Sequence, residues 1–209
     1  MELKLLRMMV GMYQSNCYIL FDEENDAVII DPGSEGKRIV ETIEKHNLNP
    51  KMILLTHGHS DHYGGVNEVL SKYDIPLYMS KEDQEMLGKD QKNIDRALGG
   101  FDIGEIKASH LVKDGDEIKF KDKVFKVVAT PGHTKGSLCF IIDNAMFSGD
   151  MLFQGSIGRT DLPGGNYEEI MKSLKMLLEL PPDLVVYPGH GGHTTIGFEK
   201  ENNYFARLL

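Results

Sequence analysis

Positive charge is scarce in this chain. Lysine and arginine number 23 against 32 aspartates and glutamates, a formal net charge of −9. That balance argues against a general grip on nucleic-acid phosphates, which needs a basic face, and against docking on anionic membrane surfaces. Long hydrophobic runs are missing too. The longest strictly apolar stretches, Cys17–Phe21 and Leu138–Ile142, have five residues each, far short of the roughly 20 that a membrane span needs. Glu2, Lys4 and Arg7 stand where a signal peptide would carry its apolar stretch, so export is not expected. There are only two cysteines, Cys17 and Cys139, both inside apolar strand-like runs. Buried, reduced thiols in a cytoplasmic protein are the expectation. Low-complexity tracts and solenoid-length repeats are absent. What is present is 41% hydrophobic content over 209 residues, enough for a real core and suited to one domain spanning 1–209.

The first half alternates strands and helices. Leu3–Val10 and Cys17–Phe21 read as strands joined by a turn at Gly11, and Ala27–Asp31 as a short buried strand stopped by Pro32-Gly33. Ser34 is expected to cap a helix over about 35–47, with Ile39, Val40 and Ile43 facing inward. Lys51–Leu55 is another buried strand, and Val66, Val69, Leu70 and Tyr73 mark a helix after it. In the second half, 110–129 reads as strands around turns at Asp114-Gly115 and 121–123. Leu138–Asp143 and Ala145–Ser148 turn at Asn144. Asn166 with Glu169 opens a helix that ends before Pro181-Pro182. Leu184–Tyr187 is a last strand and about 197–206 a last helix; 81–109 reads only as a helix with a covering loop. Neither half can bury both faces of its sheet alone, so two packed sheets with helices outside are expected.

Five of the eight histidines fall just after strands, beside carboxylates and glycines. THGHSDHYGG (56–65) places His57, His59, Asp61 and His62 within six positions. His57 and His59 cannot share a helix face, but on a tight loop alternate side chains can converge. Gly64-Gly65 keep the following helix slim. A solvated polar loop is the plainer reading; the abundance of imidazole as a metal ligand and the recurrence of the pattern weigh against it. PGHTKGS (131–137) brings His133, SGD (148–150) Asp150 and YPGH (187–190) His190, each at a strand end. Strand ends meeting on one edge would gather seven nitrogen and oxygen ligands. That is too many for one tetrahedral ion and suits two ions sharing one carboxylate. Without thiolate, zinc, iron and manganese all fit.

Asp31, THGHSDH, His133, Asp150 and His190, in that order, resemble the metallo-β-lactamase superfamily over nearly the whole chain. NCYIL (16–20), PGHTKGSLCF (131–140), SGDMLF (148–153), GRTDLPGG (158–165) and TIGFEKENN (195–203) are similar to its small glyoxalase II-like hydrolases, the hydroxyacylglutathione hydrolase family. The resemblance implies an α/β fold, an αββα sandwich with the metal site at one edge. It also implies two divalent ions, with zinc the first choice. His57, His59 and His133 would hold one ion, Asp61, His62 and His190 the other, and Asp150 would bridge them. Asp31 would orient a ligand imidazole; a strand-ending Asp-Pro-Gly turn would explain it equally.

Two divalent ions with Asp61, Asp150 and one hydroxide leave a formal +1, which favours an anionic or carbonyl substrate in this acidic protein. The expected reaction is attack of a metal-bridging hydroxide on a small-molecule thioester or ester carbonyl. Asp61 can also shuttle a proton, although its main role would be as ligand. Arg159 could anchor a substrate carboxylate, or simply brace its loop. Phe153 could line the pocket, though core phenylalanine is commoner. His193 fits substrate contact or exposure; His46 and His110 lack ligand context. The longer glyoxalase II enzymes have a C-terminal helical domain that helps bind glutathione, and this chain ends 19 residues after His190. The thiol carrier therefore stays open. A persulfide dioxygenase-like enzyme with one iron on His57, His133 and Asp150 is the main alternative, and a lactonase is a third. Flavodiiron electron transfer, a nuclease role and a purely metal-stabilised interaction domain fit less well.

Overall fold

The computed structural model describes residues 2–87 and 103–209. Two compact units emerge, one of residues 1–79 and 84–111, the other of 80–83 and 112–209. The first is built on a six-stranded sheet ordered β1-β2-β3-β4-β5-β6. Its strands are β1 (Lys4–Val10), β2 (Ser15–Phe21), β3 (Asp26–Ile30), β4 (Asn49–Leu54), β5 (Leu77–Ser80) and β6 (His110–Val112). β1 and β2 form an antiparallel hairpin closed at Val10↔Ser15. β3 runs parallel to β4, as does β4 to β5. Ala27, Val28, Ile29 and Ile30 are all buried, which is why this strand reads as a continuous apolar run instead of alternating.

Helix α1 (Gly36–Lys45), the short α2 (Ser60–Tyr63) and α3 (Val66–Lys72) lie between these strands in sequence. Ile39 and Ile43 of α1 and Val66 and Val69 of α3 share one core with Ile29, Ile53 and Leu55. Truncating such a side chain to alanine typically costs about 2–5 kcal/mol. The cap of α1 differs from expectation. Its N-cap is Glu35 in a left-handed conformation (φ 54°), not Ser34, and it makes no side-chain cap. The Glu35 carboxylate instead accepts bonds from the Gly11 amide at 2.9 Å and from Arg38 at 3.0 Å. Residues 81–87 are helical (α4). Within the expected helix and covering loop of 81–109, residues 88–102 lie outside the described residues.

The second unit carries a six-stranded sheet ordered β14-β13-β10-β9-β8-β7. These are β7 (Glu117–Phe120), β8 (Lys123–Ala129), β9 (Leu138–Ile142), β10 (Ala145–Gly149), β13 (Val185–Pro188) and β14 (Thr194–Thr195). A small hairpin pairs β11 (Leu152–Phe153) with β12 (Ser156–Ile157). β10 and β13 run parallel, with a register shift between Phe147 and Gly149. Such an irregularity re-aims the residue that follows it, which here is Asp150.

Helix α5 (Tyr167–Leu177) starts at Asn166, whose side chain accepts the Glu169 amide at 3.1 Å. Its inner face buries Ile170, Leu174 and Leu177 against Cys139, Met146 and Val186. Ser173 on the same helix donates to the Pro131 carbonyl at 2.8 Å, tying α5 to the loop that carries His133. The expected last helix over 197–206 is two pieces, α6 (Ile196–Asn202) and a 3-10 turn (Phe205–Leu208). The break falls at buried Asn203, whose side chain binds Glu199 at 2.7 Å and the Ser156 carbonyl at 3.1 Å.

Candidate metal centre

In the first unit, the chain leaves β3 through Asp31, which is buried and sits at φ 49°. Asp31 is a hub. Its Oδ1 accepts the Thr56 amide at 2.8 Å and its Oδ2 accepts the Thr56 hydroxyl at 2.6 Å. The same Oδ2 lies 2.9 Å from Nδ1 of His62. A carboxylate only accepts, so His62 carries its proton on Nδ1 and presents Nε2 as a lone pair. Thr56 has spent its one hydroxyl proton on Asp31. Its oxygen therefore accepts from Nδ1 of His57, 3.0 Å away, and His57 also presents Nε2. One carboxylate thus sets the tautomer of two imidazoles.

His57, His59 and His62 cluster tightly. Their ring centroids are 4.8 Å apart for His57 and His59, and 4.1 Å for His57 and His62. Oδ2 of Asp61 is 3.6 Å from Nε2 of His62. Glycines make this packing possible. A Cβ on Gly33 would stand 1.7 Å from the Asp61 carbonyl, and one on Gly64 2.5 Å from the Gly33 carbonyl. Ser15 clasps the same Asp61 carbonyl at 2.5 Å. Asp61 also lines a cavity of about 390 Å³ with Met12 and Tyr13 of the β1–β2 turn, Asn67, Glu68 and Ile103.

In the second unit, Nδ1 of His133 is 2.7 Å from the Arg159 carbonyl, so this ring too donates from Nδ1 and presents Nε2. Asp150 follows the irregularity in β10. Its Oδ2 lies 3.6 Å from Nε2 of His133 and 3.5 Å from Nε2 of His190. Gly158 permits the approach of the 158–161 loop, since a Cβ there would stand 1.8 Å from the Asp150 carbonyl and 3.1 Å from Nδ1 of His133. Phe153 sits edge-on to His190, ring centroids 6.1 Å apart. The Arg159 guanidinium forks onto Asp161, with both bonds at 2.7 Å. This hydrogen-bonded guanidinium lowers the Asp161 carboxyl to about 2.

The remaining three histidines have other neighbours. His110 stacks on Tyr78, His193 lies 6.0 Å from Tyr187, and His46 terminates α1. Both thiols are buried. Burial raises the Cys17 thiol far above its ordinary value and pushes Cys139 up to about 12, so neither suits nucleophilic chemistry. Thr56, Ser15 and Gly158 escaped sequence reasoning; only the position of Thr56 directly before H-x-H pointed toward it.

The donor set of oriented imidazoles and carboxylates, without thiolate, fits divalent metal ions. Comparison with known proteins agrees. The profile of the metallo-beta-lactamase superfamily matches residues 10–190, and the chain belongs to that superfamily and has its α/β fold. It is 39% identical over 206 residues to a probable metallo-hydrolase, YqgX, of Bacillus subtilis, covering 97% of each chain. It is 38% identical over 200 residues to the hydroxyacylglutathione hydrolase GloC of Haemophilus influenzae, covering 94% of each. Among solved structures, the BLEG-1 B3 metallo-beta-lactamase superposes with a TM-score of 0.92 at 36% identity, covering 97% of this chain and 99% of that one. TTHA1623 in a di-iron-bound form gives 0.86 at 35% identity, covering 96% and 99%.

Proposed function

We propose that residues 1–209 form a single dinuclear metal-dependent hydrolase domain that cleaves a small-molecule thioester, as glyoxalase II-like enzymes do. His57, His59 and His133 would hold one ion, Asp61, His62 and His190 the other, and Asp150 both. The observation that carries the reading is Asp150 itself. One of its oxygens stands within 3.6 Å of Nε2 of His133 and of His190, two imidazoles assigned to different ions. The GloC relative supports the thioester class, and the di-iron neighbour makes iron as eligible as zinc. A soluble cytoplasmic setting agrees with the described residues, in which no helix is long and apolar enough to cross a membrane.

Bound divalent ions would lower the pKa of a water to about 7 and polarise the substrate carbonyl. The chain's own residues do the rest. Asp31 holds His62 and, through Thr56, His57 with their Nε2 lone pairs turned to the site. The Arg159 carbonyl does the same for His133. Asp61 and Asp150 supply negative charge that partly offsets the ions, leaving a centre suited to carbonyl oxygen and thiolate. Phe153 offers an apolar edge beside His190, and the cavity next to Asp61 has a volume suited to the arm of a small substrate. Arg159 remains the proposed anchor for a substrate carboxylate, which would exchange for Asp161. An exposed ion pair is worth little, so the exchange is inexpensive.

The test is metal analysis of protein purified without added metal, followed by thioester and persulfide assays on that sample. About two equivalents of metal and thioester turnover are expected. Oxygen-dependent consumption of a persulfide with no thioester turnover would replace the reading with an oxidoreductase.

A further inference from the structure

The loop that carries His133 is held from behind by a buried carboxylate outside the ligand set. Asp83, at the start of α4, is fully buried. Its Oδ2 accepts the Thr134 hydroxyl at 2.7 Å and its Oδ1 accepts the Gly136 amide at 2.8 Å. Ser137 completes the arrangement, with its hydroxyl 2.7 Å from that of Thr134 while accepting the Thr134 amide at 3.0 Å. Proton counting gives the chain a direction. Thr134 spends its hydroxyl proton on Asp83, so Ser137 must donate to Thr134. Gly136 has no room for a side chain: a Cβ would stand 2.0 Å from the Ser80 hydroxyl and 2.6 Å from Oδ1 of Asp83. Across 51 and 53 residues of sequence, one carboxylate therefore fixes the backbone directly after His133.

We propose that Asp83 is a positioning residue for His133, holding the 134–137 backbone so that the imidazole meets its metal in the orientation the Arg159 carbonyl selects. The inference rests on the reading of His133 as a metal ligand. Its logic is division of labour. The Arg159 carbonyl sets the ring, and Asp83, through Thr134 and Gly136, sets the Cα from which the ring projects. Groups bonded directly to a ligating imidazole typically carry about 10–100-fold of metal affinity, and Asp83, which acts one step further out through the backbone, is expected at the lower end of that range. Asparagine at position 83 would turn its NH2 either against the Gly136 N–H, losing that bond, or toward the Thr134 hydroxyl, reversing the chain so that Ser137 no longer donates to Thr134.

The experiment uses the full chain stripped of metal. Zinc is titrated back against a chromophoric chelator, with thermal unfolding of the apo protein measured in parallel. Asp83→Asn and Thr134→Val should each weaken one of the two zinc affinities about tenfold or more and leave the other in place. Thr134→Ser, which keeps the hydroxyl, should stay within about twofold of wild type. A role in folding alone would lower the apo melting temperature without shifting one zinc affinity selectively. Folded Asp83→Asn protein with both wild-type affinities would overturn the proposal; if that variant does not fold, Thr134→Val decides by the same criterion. Wild-type protein that takes up less than half an equivalent of zinc would instead overturn the metal-site reading beneath it.

Discussion

The Arg159 carbonyl oxygen lies 2.7 Å from Nδ1 of His133, while the Arg159 guanidinium turns away to fork onto Asp161. One residue therefore has two separable functions. Its backbone orients a candidate metal ligand, and its side chain makes an exposed ion pair. The backbone role needs Gly158, because a Cβ there would stand 1.8 Å from the Asp150 carbonyl and 3.1 Å from Nδ1 of His133.

Separating these functions gives the first prediction. Arg159→Ala keeps the carbonyl, so metal content should remain that of wild type, and KM should rise far more for acidic thioesters than for neutral ones. Gly158→Ala forces a methyl group against the Asp150 carbonyl and should lower metal affinity about tenfold or more. Metal analysis and substrate-specific KM values for the two variants provide the check. Equal KM losses on both substrate types would assign the Arg159 side chain to loop structure alone.

The ion pair itself can be titrated. Asp161 is exposed, and its carboxyl is lowered to about 2 chiefly by its bond to the Arg159 guanidinium. A depressed carboxyl contributes its pairing above the ordinary carboxylate range and loses it as the pH falls through the lowered value. Carboxyl-detected NMR should therefore find Asp161 still ionised at pH 3. In Arg159→Ala its midpoint should return toward the ordinary range. An unchanged midpoint in that variant would place the cause elsewhere.

Asp31 supplies a cleaner substitution than most buried carboxylates. Its φ of 49° is tolerated by asparagine, so Asp31→Asn leaves the backbone unstrained and alters only acceptor capacity. Asparagine must turn its NH2 toward the Thr56 amide, the Thr56 hydroxyl or His62, and one buried bond is lost. The expected cost is roughly 1–3 kcal/mol in stability, with about 10–100-fold lower metal affinity through His57 and His62. Denaturant unfolding of the apo protein and chelator competition measure the two effects independently. A variant of wild-type metal affinity would leave Asp31 as a turn residue only.

These relationships mark where the sequence was legible. The seven ligand-type residues could be picked out because imidazole and carboxylate at successive strand ends form a local signal. β3 and α5 were equally plain, the first from its apolar run and the second from Asn166 and its helical stripe. What stayed hidden depends on contacts distant in sequence. The cap of α1 falls at Glu35 because Gly11, 24 residues away, donates to its side chain. The final helix breaks at Asn203 because that amide binds the Ser156 carbonyl, 47 residues away. Asp83 gave no local signal, because its partners Thr134 and Gly136 lie 51 and 53 residues away.

The last prediction separates hydrolysis from oxygen chemistry. In the proposed dinuclear site His190 is a ligand, and its Nε2 lies 3.5 Å from the shared oxygen of Asp150. In a mononuclear iron enzyme only His57, His133 and Asp150 would touch metal, and His190 would be peripheral. His190→Ala should then lower thioester hydrolysis at least about tenfold, equivalent to about 1.4 kcal/mol of transition-state stabilisation, and release one of two metal equivalents. Asp150→Ala should abolish hydrolysis and deplete both equivalents, while circular dichroism stays native because the Asp150 side chain is not part of either apolar core. Wild-type hydrolysis should run at full rate in a sealed anaerobic cuvette, since water is the second reactant and no change of oxidation state is needed. An oxygen requirement, with His190→Ala retaining full metal content, would favour the mononuclear oxidoreductase.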